Sequence, residues 1–136
     1  MAFVNKVENK IQNIVRVTAV YTAFHNINDA DFYFTGEAHD FWEVVYIVGG
    51  KAIVTADSHI YNLEKGDIIF HKPMEFHKLA SNSSEKLDVI IFSFSATGKM
   101  SYFENGLFKV SPEQQKLILN MPGLLDKSKE NAIYAH

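Results

Sequence analysis

The stretch Gly36-Glu37-Ala38-His39-Asp40-Phe41-Trp42-Glu43-Val44-Val45-Tyr46-Ile47-Val48-Gly49-Gly50 decides how this chain is read. Taken as a β-strand, its side chains alternate between two faces. Glu37, His39 and Glu43 then share one face with Phe41, Val45 and Ile47, while Trp42, Val44, Tyr46 and Val48 take the other. A strand that is apolar on both faces is buried on both, so a row of imidazole and carboxylate on one of them must face a cavity. A second row follows in HKPMEFH, where His71, Pro73, Glu75 and His77 alternate with other residues. Two polar rows inside a small apolar β protein make a pocket.

The flanking sequence supports a β architecture. Strand patterns cover 13–25, as one strand or two short ones, and 31–35, 51–56, 59–63, 68–70, 76–79 and 87–95. Asn26, Asn28 and Asp29 read as a turn, Gly49-Gly50 as a hairpin, Asp57-Ser58 as another turn, and Glu64-Lys65-Gly66-Asp67 as a turn that uses glycine. Pro73 has no N–H for a ladder, so the strand carrying HKPMEFH must lie at an edge or bend. Short strands at this spacing indicate a sandwich or barrel.

Beyond Gly98 the pattern changes. Ser111-Pro112-Glu113-Gln114 reads as a helix start, with Ser as N-cap, Pro at the first position and Gln three residues on. Leu117, Ile118 and Met121 give that helix an apolar stripe, Pro122-Gly123 is expected to break it, and 124–135 forms a second helix of thin apolar content. The stripe, continued by Leu124 and Leu125, either seals the barrel or meets its copy in a homodimer, the arrangement we favour. Residues 1–12 read as a loose entry segment or short helix. The expected units are therefore a barrel over 1–110 and a helical segment over 111–136.

Composition narrows the function classes. The chain has 136 residues, 47% hydrophobic and 13% aromatic, which suits one folded domain. Eleven Phe and six Tyr against a single Trp fit a β-rich interior. Without cysteine there is no disulfide, thiolate metal site or cysteine nucleophile. A net charge of −3 without a Lys/Arg cluster argues against nucleic-acid binding by these residues. No secretory signal or membrane-length apolar run is present, so a cytoplasmic location is expected.

Gly36…His39-x-x-x-Glu43-x(6)-Gly50 resembles the first cupin motif, and Gly66…Pro73-x-Glu75-x-His77 the second, with Glu75 where the general pattern carries Gly. Within the cupins, HDFWEVVYIVGGK and GDIIFHKPMEFHKL resemble the N-terminal effector domain of AraC-type transcription regulators, over about residues 13–125. The resemblance implies a mainly β fold, a cupin double-stranded β-helix (jelly-roll barrel) with C-terminal helices, a small-molecule ligand inside and helix-mediated dimerisation. It also implies a helix-turn-helix module after this chain, which would make any DNA contact.

Metal-binding cupins commonly take two His and a Glu from the first motif and one His from the second. Carried over, His39, Glu43 and His77 hold three of those positions, and Glu37 stands where the first His is expected. Such a set could hold zinc, iron, nickel or manganese. Three readings stay open: a metal site, an organic-ligand site without metal, and a hydrogen-bonded polar cluster. Ligand-binding candidates are Glu37, His39, Trp42, Glu43, His71, Glu75 and His77, for a sugar-like or other polar metabolite. His25 and His59 read as surface residues. A ligand-sensing domain without catalysis is the expected function, and a stand-alone metal-dependent cupin enzyme of dioxygenase or sugar-isomerase type the alternative.

Overall fold

The computed structural model describes the backbone of residues 15–134 and the side chains of residues 15–124. The expectations for residues 1–12 and for the Leu125 side chain lie outside the described residues. Nine strands, one short 3-10 helix and one α-helix follow in order: β1 (Val15–Asn28), β2 (Tyr33–Glu37), β3 (Trp42–Gly49), β4 (Lys51–Ala56), β5 (His59–Glu64), β6 (Asp67–His71), β7 (His77–Ser81), β8 (Leu87–Gly98), the 3-10 helix (Ser101–Phe103), β9 (Leu107–Lys109) and α1 (Pro112–Tyr134). They build two antiparallel sheets, one in the order β1-β8-β3-β6-β9 and the other β2-β7-β4-β5. From β3 onward the chain crosses repeatedly between the sheets, which face each other as a jelly roll.

β3 is buried on both faces, as its two-sided apolar pattern requires. Val45 and Ile47 point between the sheets and pack with Val54, Leu63, Ile69, Leu87 and Val89. Trp42, Val44 and Tyr46 point outward into a second cluster that is closed by Met100 and by Ile118 of α1. Strand parity thus divides one sequence between two cores.

The hairpin after β3 depends on Gly50, whose φ is +81°. A Cβ there would lie 2.4 Å from the Lys86 carbonyl oxygen, so both conformation and space require glycine. Gly50→Ala is expected to cost about 2 kcal/mol or more, from left-handed strain plus the backbone clash. Urea denaturation measures this, and a variant within experimental error of the wild type would refute it.

The start of α1 follows the sequence closely. Ser111 Oγ accepts from the Gln114 N–H at 3.2 Å, and Gln114 Oε1 accepts from the Ser111 N–H at 3.0 Å, a reciprocal capping box.

Several expectations need correction. The stretch 36–50 is not one strand: β2 ends at Glu37 and β3 begins at Trp42, with residues 38–41 between them. Nor is HKPMEFH one bent strand. β6 ends at His71, residues 72–76 turn with Met74 at φ +67°, and β7 opens in the other sheet. Proline cannot donate to the ladder, so the chain leaves one sheet there and joins its partner.

The turn at 26–29 falls later, because β8 pairs with β1 as far as Asn28. The expected break at Pro122-Gly123 does not occur, and α1 runs on through it. Proline there removes the one bond to the Ile118 carbonyl while the rest of the ladder holds. β9, which pairs with β6, was not expected. Ile118 seals the barrel's outer face, whereas Leu117 and Leu124 stand 69% and 62% exposed.

Candidate metal centre and ligand cavity

Four donor side chains meet at one end of the barrel, brought there by both sheets. Glu37 ends β2 and pairs with His77, the first residue of β7, in the smaller sheet. Glu43 sits on β3 of the larger sheet, between His71 of β6 and Ser93 of β8. His39 comes from the segment joining β2 to β3. One donor atom from each of Glu37, His39, Glu43 and His77 lies within 4.8 Å of the others.

The spacing is that of ligands around an ion. His39 Nε2 is 3.6 Å from both Glu37 Oε1 and Glu43 Oε1. His77 Nε2 is 3.5 Å from Glu37 Oε1 and 2.8 Å from Glu43 Oε2. Donors held about 2.1 Å from one transition-metal ion stand about 3–3.5 Å apart in tetrahedral or octahedral arrangements.

The hydrogen bonds behind the imidazoles settle which nitrogen faces the cluster. His39 Nδ1 lies 2.9 Å from the Phe41 carbonyl, and His77 Nδ1 lies 3.0 Å from the Glu75 carbonyl. A carbonyl only accepts, so each Nδ1 carries the proton and each neutral ring offers a lone pair at Nε2. Both Nε2 atoms are buried without a hydrogen-bond partner among the described residues. A lone pair on His77 Nε2 and a carboxylate oxygen of Glu43 facing each other at 2.8 Å call for a proton or a cation between them. The result is a box of acceptors, two imidazole lone pairs and two carboxylates, of the kind a cation fills. His39 is further fixed by stacking on Phe41 at 3.9 Å and by its own carbonyl, which accepts from the Met74 N–H.

Burial opposes charge on both His77 and Glu43, yet their mutual attraction outweighs it. His77 is held above its ordinary 6.5, helped by the Glu75 carbonyl and Glu37. Glu43 is held below its ordinary 4.5, helped by His77, His71 and His39. In metal-free protein a raised histidine contributes stability below about pH 6.5 and loses it as pH climbs through the folded value. A depressed carboxylate contributes above about pH 4.5 and loses it as pH falls through the folded value. Metal-free protein is therefore expected to draw most from this pair between about pH 4.5 and 6.5, and His77→Ala should flatten that maximum in urea midpoints measured against pH.

His71 and Glu75 form a separate buried pair beside the box, with Nδ1 to Oε1 at 2.8 Å. The His71 ring stacks on that of His77 at 4.4 Å and lines the cavity. Trp42 is not brought to the site, since it lies on the outward face of β3 in the second core cluster. His59 is exposed, and His25 is exposed and paired with Asp88.

A cavity of about 210 Å³ opens from the box toward β1 and β2. Glu37, Glu43, His71 and His77 line one part of it, and Phe24, Phe32, Phe34, Leu79 and Ile91 much of the rest. Sequence reading missed this aromatic wall, although the even-numbered run Phe24-Asn26-Asn28 and Phe32-Phe34 would have pointed to it by strand parity. A larger hollow of about 470 Å³ lies outside the barrel against α1, lined by Phe70, Phe103, Phe108 and Leu117 among others. None of the four donors reaches it.

The model of the AraC-like ligand binding domain matches residues 20–129. The chain belongs to this family. Among solved structures, this AraC-like domain is similar to AerE from Microcystis aeruginosa, with 15% identity and a TM-score of 0.51 over 53% of this chain and 34% of that one. It is also similar to a predicted oxalate decarboxylase of Thermotoga maritima, with 14% identity and a TM-score of 0.54 over 56% and 67%. A cupin domain from Schizosaccharomyces pombe follows, with 11% identity and a TM-score of 0.53 over 64% of each chain. At such identities the likeness is one of fold, and that fold is the cupin barrel. The AraC-like domain spans about a third of AerE's length and roughly two thirds of the other two. No curated protein matches it in sequence. No described helix is long and apolar enough to cross a membrane.

Proposed function

We propose that this chain is the sensor of an AraC-type transcription regulator, with a small molecule held in the barrel cavity above a divalent transition metal. Glu37, His39, Glu43 and His77 would hold the metal, and zinc, iron, nickel and manganese all accept such an N₂O₂ set. The observation that carries this reading is the acceptor-only box opening on the cavity, with two buried Nε2 lone pairs that have no partner among the described residues. A metal there would supply a Lewis acid to anchor an oxygen or nitrogen of the ligand.

β3 gives the signal a route. It carries Glu43 toward the cavity, while its outward residues Trp42, Val44 and Tyr46 pack in the cluster that includes Ile118 of α1. A ligand that favours one setting of β3 would bias how α1 docks. The exposed Leu117 and Leu124 would serve a homodimer, and DNA would be contacted by a helix-turn-helix domain following α1, in the cytoplasm.

The same box beside a cavity favours a second reading, a metal-dependent cupin enzyme. Equilibrating metal-loaded protein with a panel of sugars and small organic acids, then following them by NMR, separates the two. Compounds that shift the melting temperature and are recovered unchanged support the sensor. Conversion of a bound compound at catalytic turnover would overturn it in favour of the enzyme.

A further inference from the structure

The cavity's lining also says what kind of molecule it takes. Its polar groups are unevenly placed. Glu37, Glu43, His71 and His77 form the floor. Phe32, Val45, Leu79, Val89 and Ile91 form a wall continuous with the main hydrophobic core. Phe24 and Phe34 line it further from β1 and β2. The remaining polar lining is Asn26 and Asn28 on β1 beside Phe24, and Lys78, with one N–H of the Asn28 amide given to the Leu87 carbonyl at 3.3 Å. At about 210 Å³ the cavity is small for a ligand pocket, which suits a compact molecule.

Resting on the sensor reading above, we infer that the ligand is a compact amphipathic molecule, with a ring-sized apolar body against the Phe and aliphatic wall and a single oxygen-acid head at the His/Glu floor. A monosaccharide does not fit this division. Its hydroxyls point all round the ring, and several would face the core-facing aliphatic wall without a partner. Each such orphan loses roughly ten- to a hundredfold in affinity. An aromatic body loses nothing there and gains offset contacts with the Phe rings. The head is assigned from charge: the floor alone offers only acceptors, so an oxygen acid is held through the cation those acceptors bind, and Lys78 adds a positive charge to the lining.

The test uses zinc-loaded protein and calorimetric titration with benzoate, benzyl alcohol and arabinose. Benzoate is expected to bind at least tenfold more tightly than either of the others. Phe34→Ala, at a half-buried position on β2, is expected to lower benzoate affinity about tenfold, the upper end for one aromatic pair, while zinc stoichiometry stays the same. Arabinose binding as tightly as benzoate would overturn the inference, as would a zinc-loaded protein indifferent to every ring probe. Benzyl alcohol equal to benzoate would overturn the assignment of the head. If the protein takes up no zinc, the metal reading fails separately, and benzylamine is then titrated into the metal-free protein. Binding that Phe34→Ala weakens would uphold the apolar body, and no binding would overturn it.

Discussion

Replacing His77 with alanine is expected to lower metal affinity by at least about 100-fold, because even losses behind the ligands cost 10–100-fold at such centres. His77 stands within 3.5 Å of Glu37 and 2.8 Å of Glu43, so it ties together the carboxylates of the two sheets. His39→Ala should act in the same direction, since its Nε2 is 3.6 Å from both. Elemental analysis of the purified wild type is expected to find about one transition-metal ion per chain. Stripping it with a chelator should lower the melting temperature. Metal at 100 times its dissociation constant contributes about 2.7 kcal/mol, roughly 10 °C for a domain of this size. The chelator should leave the melting temperature of His77→Ala unchanged. Wild-type protein without metal, or a His77→Ala variant that retains it, would sink the metal centre and leave a cavity that meets its ligand through the side chains alone.

Local patterns carried well from sequence to structure, and long-range ones did not. The two-sided burial of β3, the Gly49-Gly50 hairpin and the Ser111–Gln114 capping box each depend on neighbours a few residues away, where parity and turn chemistry act directly. Parity along one strand also brought Glu37, His39 and Glu43 together, but by a different route from the one the fold uses. The chain breaks at 38–41, and the residues meet because two sheets converge at that end of the barrel.

The same limit explains HKPMEFH. Pro73 signalled an interruption, yet nothing local says that the chain changes sheets there, so that His71 and His77 stack as neighbours from opposite sheets. Trp42 shows the rule from the other side. Parity set it on the face opposite Glu43, it stood among the ligand-binding candidates all the same, and the fold followed parity. β9 is three residues long and is defined by its pairing with β6, about forty residues earlier in the chain. No local pattern marks it.

The second large effect is expected at Glu75. His71 and Glu75 are 1% and 2% exposed and share a 2.8 Å hydrogen bond. Glu75→Leu keeps the volume but leaves the His71 Nδ1 buried without its acceptor. Breaking a buried pair in this way costs about 3–5 kcal/mol, whereas replacing both members with apolar groups of similar size is often near neutral. The double variant His71→Phe/Glu75→Leu should therefore recover most of what the single change loses. Urea denaturation of the metal-free single and double variants gives the coupling directly. Additive losses would mean that the two side chains act independently.

The same variants separate folding from metal binding. His77 is oriented by the backbone carbonyl of Glu75, and the substitution keeps that carbonyl. Glu75→Leu is accordingly expected to bind metal at saturating concentration while being much less stable without it. Loss of metal at saturation would instead make the Glu75 carboxylate part of the centre, acting on His77 through the stacked His71 ring.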